Sequence, residues 1–247
     1  IVSSTPVMLI TGASGGVGQQ LTRFFAKKEV CLLLHSHRGI QDLQALVDGL
    51  DFSHPPHLFQ ADLGELEAVQ TLCEKAMAVH SSVDVLINNA GISSAAISWK
   101  LDLSEWNRVM SVNLTAPFLM SKELLPAMRK KGFGRIVNIS SIVAQTGAVG
   151  TVAYAASKAG LFGLSASMAR ELAPKGITVN TVALGYMSKG MIEELSEEMK
   201  EDLLRAIPAN RFGEVEQLGA LIEYLMGPDA DYMTGQVLNL NGGLYGG

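Results

Sequence analysis

Short apolar runs rich in Val, Ile and Leu alternate along this chain with longer stretches of helical periodicity, and that alternation leaves few ways to fold. Val7–Thr11, Val30–His35, His57–Gln60, Val83–Asn88, Arg135–Ser140, Thr178–Val182 and Val237–Leu240 read as strands. Gly16–Lys27, Ile40–Leu50, Gly64–His80, Ser104–Lys131 (with Pro117 and Pro126 inside) and Tyr154–Ala173 read as helices. Strands separated by helices predict an α/β architecture with a doubly wound, seven-stranded parallel sheet and helices on both faces. Such sheets bind ligands in the crevice beyond the carboxyl ends of their strands. Gly12, Asn88, Ser140–Ser141 and Leu184–Gly185 all fall there, so one cofactor lying along the sheet edge can touch all four segments.

Composition narrows the function. With 48% hydrophobic and 17% charged residues, the chain has the material for a large buried core. A formal net charge of -5 argues against a chain-wide attraction to nucleic acid or to an anionic membrane surface. No apolar run approaches the roughly 18 residues of a membrane-spanning helix, so neither nucleic acid nor membrane is an expected partner. Ile1–Pro6 has no basic region of the secretory kind, and Cys31 and Cys73 sit in apolar periodic segments as small hydrophobes. The expected location is the reducing cytoplasm.

The first strand runs into Thr11-Gly12-Ala13-Ser14-Gly15-Gly16-Val17-Gly18 just before a helix. Glycines let backbone approach a pyrophosphate, and the helix N-terminus offers unpaired N–H groups and a partial positive charge. A tight structural turn would look the same in isolation. Gly12, Ser14, Gly16, Val17 and Gly18 are the candidate contacts. At the end of the second strand an acid would accept from a ribose 2′-hydroxyl and repel a 2′-phosphate. Here the chain reads His35-Ser36-His37-Arg38, whose hydroxyl, imidazoles and guanidinium suit a phosphate. NADP(H) is therefore favoured over NAD(H), with His37 and Arg38 as its contacts. A metal held by His35 and His37 is the weaker reading, and no metal site is expected. Asp62, after the third strand, can accept from an adenine amino group or cap the next helix.

Tyr154 and Lys158 are four residues apart, which places phenol and ammonium on one helical face. Bringing a phenol to neutrality takes about 4 kcal/mol of differential stabilisation of the phenolate, and a nearby cation has the right sign. Solvated helix faces carry such pairs by chance. The combination with Ser141, with Asn113 in Ser111-Val112-Asn113-Leu114, with Asn88-Asn89-Ala90-Gly91, with the glycine turn and with Leu240-Asn241-Gly242-Gly243 is specific, and over essentially the whole chain it resembles the short-chain dehydrogenase/reductase family.

That resemblance implies a single Rossmann-type NAD(P)-binding domain over 1–247, with a substrate lid at about 186–211. It implies that Tyr154 is the general acid and base, Ser141 holds the reacting oxygen, Lys158 binds the nicotinamide ribose and tunes Tyr154, and Asn113 supports a water-linked proton path. Asn89, Ala90, Gly91 and Gly185 join the cofactor contacts, and Asn88 with Gly91 lines the adenosine ribose side or forms a structural turn. Ser140 competes with Ser141 but reads as the last strand residue. Two departures from the family pattern stand beside the nicotinamide end: Leu184 replaces a proline, which should loosen the turn, and Lys189 stands near the usual threonine.

Within the family the likeness is to 3-oxoacyl-[acyl-carrier-protein] and acetoacetyl-coenzyme A reductases of fatty acid synthesis. The implied partners are a small ketone or an acyl thioester, an acyl carrier protein, and further copies of the chain in a homotetramer through the helices near Ser104 and Tyr154. Arg129-Lys130-Lys131 and Lys175 are candidate cations for an acidic carrier. Met187, Met191, Leu195, Met199 and Leu203 read as an apolar helical stripe over the site, backed by Glu193, Glu194, Glu197, Glu198, Glu201 and Asp202. Sugar, polyol and steroid ketones are alternative substrates, and an idle NADP(H)-binding sensor is the alternative class.

Overall fold

The computed structural model describes residues 5–246; the Ile1–Ser4 part of the N-terminal reading, and the side chains of Met191 and Glu194, lie outside the described set. Seven strands form one parallel sheet: β1 (Val7–Ile10), β2 (Cys31–Ser36), β3 (His57–Gln60), β4 (Val85–Asn88), β5 (Gly134–Ser141), β6 (Ile177–Leu184) and β7 (Val237–Leu240). Their order is β3-β2-β1-β4-β5-β6-β7, with the direction of winding reversing between β1 and β4. This is the α/β, doubly wound, single-domain Rossmann-like fold that the alternating pattern predicts.

Alternation along each strand decides which helices cover which face. Met8 and Ile10 of β1, Leu32 and Leu34 of β2, and Val85 and Ile87 of β4 point to one side. There they meet Leu21 and Phe25 of α1 (Gly16–Ala26) and Leu43 and Leu46 of α2 (Ile40–Asp48). Val7, Leu9, Leu33 and Leu86 point to the other side, against Val69, Leu72 and Cys73 of α3 (Leu66–Val79). After α4 (Leu103–Met110), Met120, Leu124 and Met128 of α5 (Ala116–Lys131) extend that second layer. A short α6 (Val143–Thr146) precedes α7 (Val152–Leu172), whose Met168 and Leu172 complete it. Beyond β6 come α8 (Glu197–Ala206) and α9 (Val215–Met226); Leu218 and Ile222 of α9 close the first layer, each burial worth about 2 kcal/mol.

Three local expectations change. The stretch read as one helix from Ser104 to Lys131 is two helices joined by a wide π-type turn, Ser111–Thr115, with Pro117 accommodated in the first turn of α5. The apolar stripe from Met187 to Leu203 is not one helical face: a short 3₁₀ turn spans Met191–Glu194, Leu195 is extended, and α8 starts after Ser196, whose hydroxyl accepts from the Met199 N–H. Strand β5 runs through Ser141, so Ser140 is its penultimate residue. Among the described residues no helix is long and apolar enough to cross a membrane.

Candidate active site

A cleft of about 800 Å³ lies beyond the carboxyl ends of the strands, floored by the turns after β1, β4, β5 and β6. Thr11 follows β1 and organises the first of these. Its hydroxyl donates to the Ile87 carbonyl and accepts from the Asn89 and Ala90 N–H groups, while the Asn89 amide donates to the Thr11 and Gly12 carbonyls. The β1 and β4 turns are thereby tied together, and Gly12 takes φ +67° where a Cβ would fall 2.8 Å from the Ala90 Cα. A Cβ on Gly18 would fall 2.1 Å from the Gly12 carbonyl oxygen, so the start of α1 is pressed against the turn. Helix α1 has no side-chain cap and no acid in its first turn. The helix therefore supplies no anion of its own to its positive end, and the cradle fits the diphosphate of a dinucleotide.

Gly12, Ser14, Gly16, Val17, Gly18, His37, Arg38, Asp62, Asn89, Ala90, Gly91, Tyr154, Lys158 and Gly185 all line this one cleft, as does Ser141. Asn88 does not line it. It is buried, and its amide donates to Asn138, whose own amide donates to Ser165, continuing to Thr181. It braces the centre of the sheet instead of facing a ribose.

At the far end of β2 only part of the tetrapeptide faces the cleft freely. His35 is 1% exposed: its Nδ1 accepts from the Gly12 N–H at 3.2 Å, and its Nε2–H donates to the Ala61 carbonyl at 3.1 Å. Both ring nitrogens serve backbone, so His35 is neither a phosphate contact nor a metal ligand, and burial lowers its pKa to about 4. The Ser36 hydroxyl bonds that of Ser14 at 2.8 Å. His37 and Arg38 remain, Arg38 exposed and without an ion pair among the described residues. Asp62 lines the cleft and also caps a turn: it accepts from the Gly64 N–H at 2.8 Å and from Arg108 at 3.0 Å, with His37 at 3.3 Å. Burial opposes its ionisation, yet those donors hold its carboxyl below the usual range. Arg108 carries no motif signal; its place in the cleft is a product of the fold.

At the β5 and α7 end, the Tyr154 ring and Lys158 Nζ lie 5.9 Å apart. Lys158 is buried and donates to the Ile139 carbonyl at 2.7 Å, and desolvation lowers its pKa to about 8. The sequence leads one to expect the phenol pulled towards neutrality. In the structure burial raises the Tyr154 pKa, the Ser141 hydroxyl pulling the other way; Lys158 Nζ stands 5.9 Å from the ring centre, and its hydrogen bond runs to Ile139. The phenol is therefore held protonated. The Ser141 hydroxyl accepts from the Val143 N–H at 3.2 Å at the start of α6, whereas Ser140 donates to the Lys158 carbonyl and is used up in packing β5 on α7.

Asn113 is fully buried and does not line the cleft. The π-type turn swings it inward, where its Oδ1 accepts from the Ile92 N–H and its Nδ2 donates to the Ile92 carbonyl and to Ser157. Ser157, absent from the sequence reading, donates onward to the Tyr154 carbonyl at 2.8 Å, linking the β4 turn to the Tyr154 helix. At Gly91 a Cβ would fall 3.2 Å from Lys158 Nζ and 3.5 Å from Asn113 Oδ1, so these three positions are in contact.

The departures also resolve physically. Leu184 pairs with Ser141 on one side and Leu240 on the other, its carbonyl accepts from the Ile142 N–H, and the next N–H, of Gly185, donates to Leu240. The turn is held, not loosened. The cluster Arg129-Lys130-Lys131 ends α5 and Lys175 precedes β6, so these cations lie at the amino ends of the strands, opposite the cleft mouth. They do not flank the site.

The comparisons agree with this geometry. The family model described as short chain dehydrogenase matches residues 6–200. The chain is 39% identical over 236 residues to nodulation protein G of Rhizobium sp. (strain N33), covering 96% of this chain and 95% of that one. It is 35% identical to the 3-oxoacyl-[acyl-carrier-protein] reductase FabG of Haemophilus influenzae (97% and 98% covered), and 36% identical to that of Escherichia coli (97% and 97% covered). A dinucleotide cradle beside a buried Tyr–Lys pair, carried on a chain matched end to end by reductases, belongs to the short chain dehydrogenase family: the protein is an NAD(P)-binding oxidoreductase acting on CH–OH or C=O groups.

Proposed function

We propose that this enzyme reduces a 3-oxoacyl thioester, carried on coenzyme A or an acyl carrier protein, to the 3-hydroxyacyl thioester with NADPH. The observation that carries the reading is the meeting of Tyr154, Ser141 and Lys158 at one end of a cleft whose other end offers the exposed Arg38 beside His37, with no acid at the end of β2 and with Asp62 already shared between His37, Arg108 and the Gly64 N–H. Glycines 12, 16 and 18, Ser14 and Val17 would hold the diphosphate, Arg38 and His37 the 2′-phosphate, Asp62 the adenine, and Asn89 to Gly91 with Gly185 the remaining sugar and nicotinamide. The cofactor, when bound, supplies a hydride to the carbonyl carbon.

Tyr154 then acts as general acid. Its protonated phenol gives a proton to the carbonyl oxygen as negative charge develops there, and the Ser141 hydroxyl donates a hydrogen bond to the same oxygen. Lys158 places a cation within reach of the nicotinamide ribose and of the phenolate left behind, which its depressed pKa also equips to exchange a proton near neutrality. Asn113 acts through Ile92 and Gly91, fixing the β4 turn against Lys158. Exposed Leu103, Phe118 and Val152 on α4, α5 and α7 support a homotetramer formed through the helices near Ser104 and Tyr154, and residues 186–211 form the lid over the thioester arm. Two free cysteines suit a cytoplasmic enzyme.

The test follows oxidation of NADPH and of NADH with acetoacetyl-coenzyme A, in wild type and Arg38→Gln. The reading expects NADPH to be preferred and its KM to rise about tenfold in the variant, the loss of one charged hydrogen bond, with NADH unaffected. Preference for NADH overturns the cofactor assignment. Absence of turnover with either cofactor overturns the thioester assignment.

A further inference from the structure

After β6 the chain does not leave the cleft. Ser188 is anchored at the rim, its N–H donating to the Gly213 carbonyl and its hydroxyl to Glu214 at 2.6 Å. Residues 189 to 193 are thereby carried back onto the first turn of α1. Contact is close: a Cβ on Gly16 would fall 2.4 Å from the Gly190 nitrogen and 3.2 Å from Glu193 Oε2. The Glu193 carboxylate is held there on two sides, Oε2 accepting from the Gly190 N–H at 2.9 Å and Oε1 from Lys189 Nζ at 3.1 Å. Hydrogen bonds from Gly190 and Lys189 keep its carboxyl below the usual range.

The carboxylate therefore stands beside a helix N-terminus that lacks an anion of its own, and that N-terminus is part of the cradle for the dinucleotide diphosphate. Two anions cannot occupy that end of α1 without repelling one another, and Lys189 can neutralise only one of them. The Lys189 and Glu193 side chains are 47% and 50% exposed, so their pairing is weak and easily exchanged. The geometry points to an exchangeable latch: without dinucleotide, Glu193 binds Lys189 and pins the segment after β6 onto Gly16, and the cofactor diphosphate displaces Glu193 and takes over the Lys189 ammonium. Lys189 is then a cofactor contact, and Glu193 a competitor for the site that also sets when the segment opens. The inference rests on the cleft being the NAD(P) site and is independent of which nicotinamide cofactor is preferred, since both carry the diphosphate.

Calorimetric titration of NADPH and of NADH into wild type, Glu193→Gln, Lys189→Gln and the double variant tests it. Glu193→Gln is expected to tighten both cofactors about threefold and Lys189→Gln to loosen both about threefold, the range of an exposed charge pair, with a larger loosening in the Glu193→Gln background, where the ammonium is already free. Unchanged or weaker binding in Glu193→Gln, or an identical Lys189 effect in both backgrounds, overturns the latch. Without cofactor, hydrogen exchange at the Gly190 amide is expected to accelerate in Glu193→Ala; unchanged protection also overturns it. An effect of Arg38→Gln confined to NADPH reads the 2′-phosphate assignment separately, and failure of wild type to bind either cofactor overturns the cofactor reading itself.

Discussion

Lys158 is a charge that the fold holds at a cost, and replacing it should stabilise the protein while disabling it. Burial lowers its pKa from 10.5 to about 8. The unfolded chain therefore binds more protons than the folded one between pH 8 and 10.5, and stability rises with pH across that window. Below pH 8 the full penalty is present, roughly 3 kcal/mol at 1.36 kcal/mol for each tenfold change. Lys158→Met keeps the volume and removes the charge, but deprives the Ile139 carbonyl of its donor, which returns about 1 to 2 kcal/mol. The net gain at pH 7 is about 1 to 2 kcal/mol, or roughly 3 to 6 °C in Tm for a chain of this length. Calorimetry at fixed protein concentration should show that rise, shrinking as pH climbs past 8, while turnover falls at least about a hundredfold. A variant that melts at or below wild type at pH 7 would show that desolvation of Lys158 is already compensated, and the reasoning fails.

His35 gives the opposite end of the pH scale. Its pKa of about 4 lies below the ordinary 6.5, so the unfolded chain takes up the extra proton between those values and stability falls as pH drops from 6.5 to 4, by roughly 3 kcal/mol. Urea midpoints should therefore decline less steeply with acid in His35→Asn than in wild type; parallel curves would contradict the neutral Nε2–H assignment. Gly18→Ala ought to gain up to about 1 kcal/mol from helix propensity. A Cβ 2.1 Å from the Gly12 carbonyl should reverse that and weaken dinucleotide binding about tenfold or more, whereas a higher Tm with intact binding would contradict the close approach of α1 to the turn.

The sheet could be read from residues because each strand is a short apolar run closed by a turn residue, and β3 and β7 even match at both ends. The cleft followed, since parallel winding puts every turn of chemical interest at one edge. What the sequence hides is geometry that depends on a single extra residue or on the end of a strand. The π-type turn that buries Asn113 has no mark of its own: Val112, Asn113 and Leu114 fit an ordinary helix, and only packing selects the wider turn. His35 looks like its neighbours His37 and Arg38, but strand alternation sends it inward with Leu33, where backbone claims both nitrogens. The cations at Arg129 to Lys131 look suited to an acidic carrier until the topology puts them at the amino ends of the strands. The direction of the Tyr154 shift is equally hidden, because it turns on how deeply the fold buries the phenol, which the Tyr154–Lys158 spacing does not reveal.

The central claim is that Tyr154 delivers the proton to a carbonyl oxygen. Single-turnover reduction of acetoacetyl-coenzyme A by Tyr154→Phe, with cofactor affinity measured on the same sample by calorimetry, tests it most directly. The account predicts a rate lower by about 10² to 10⁴ with cofactor Kd unchanged within about twofold, the signature of a lost general acid in an intact site. A variant that turns over at near wild-type rate contradicts it.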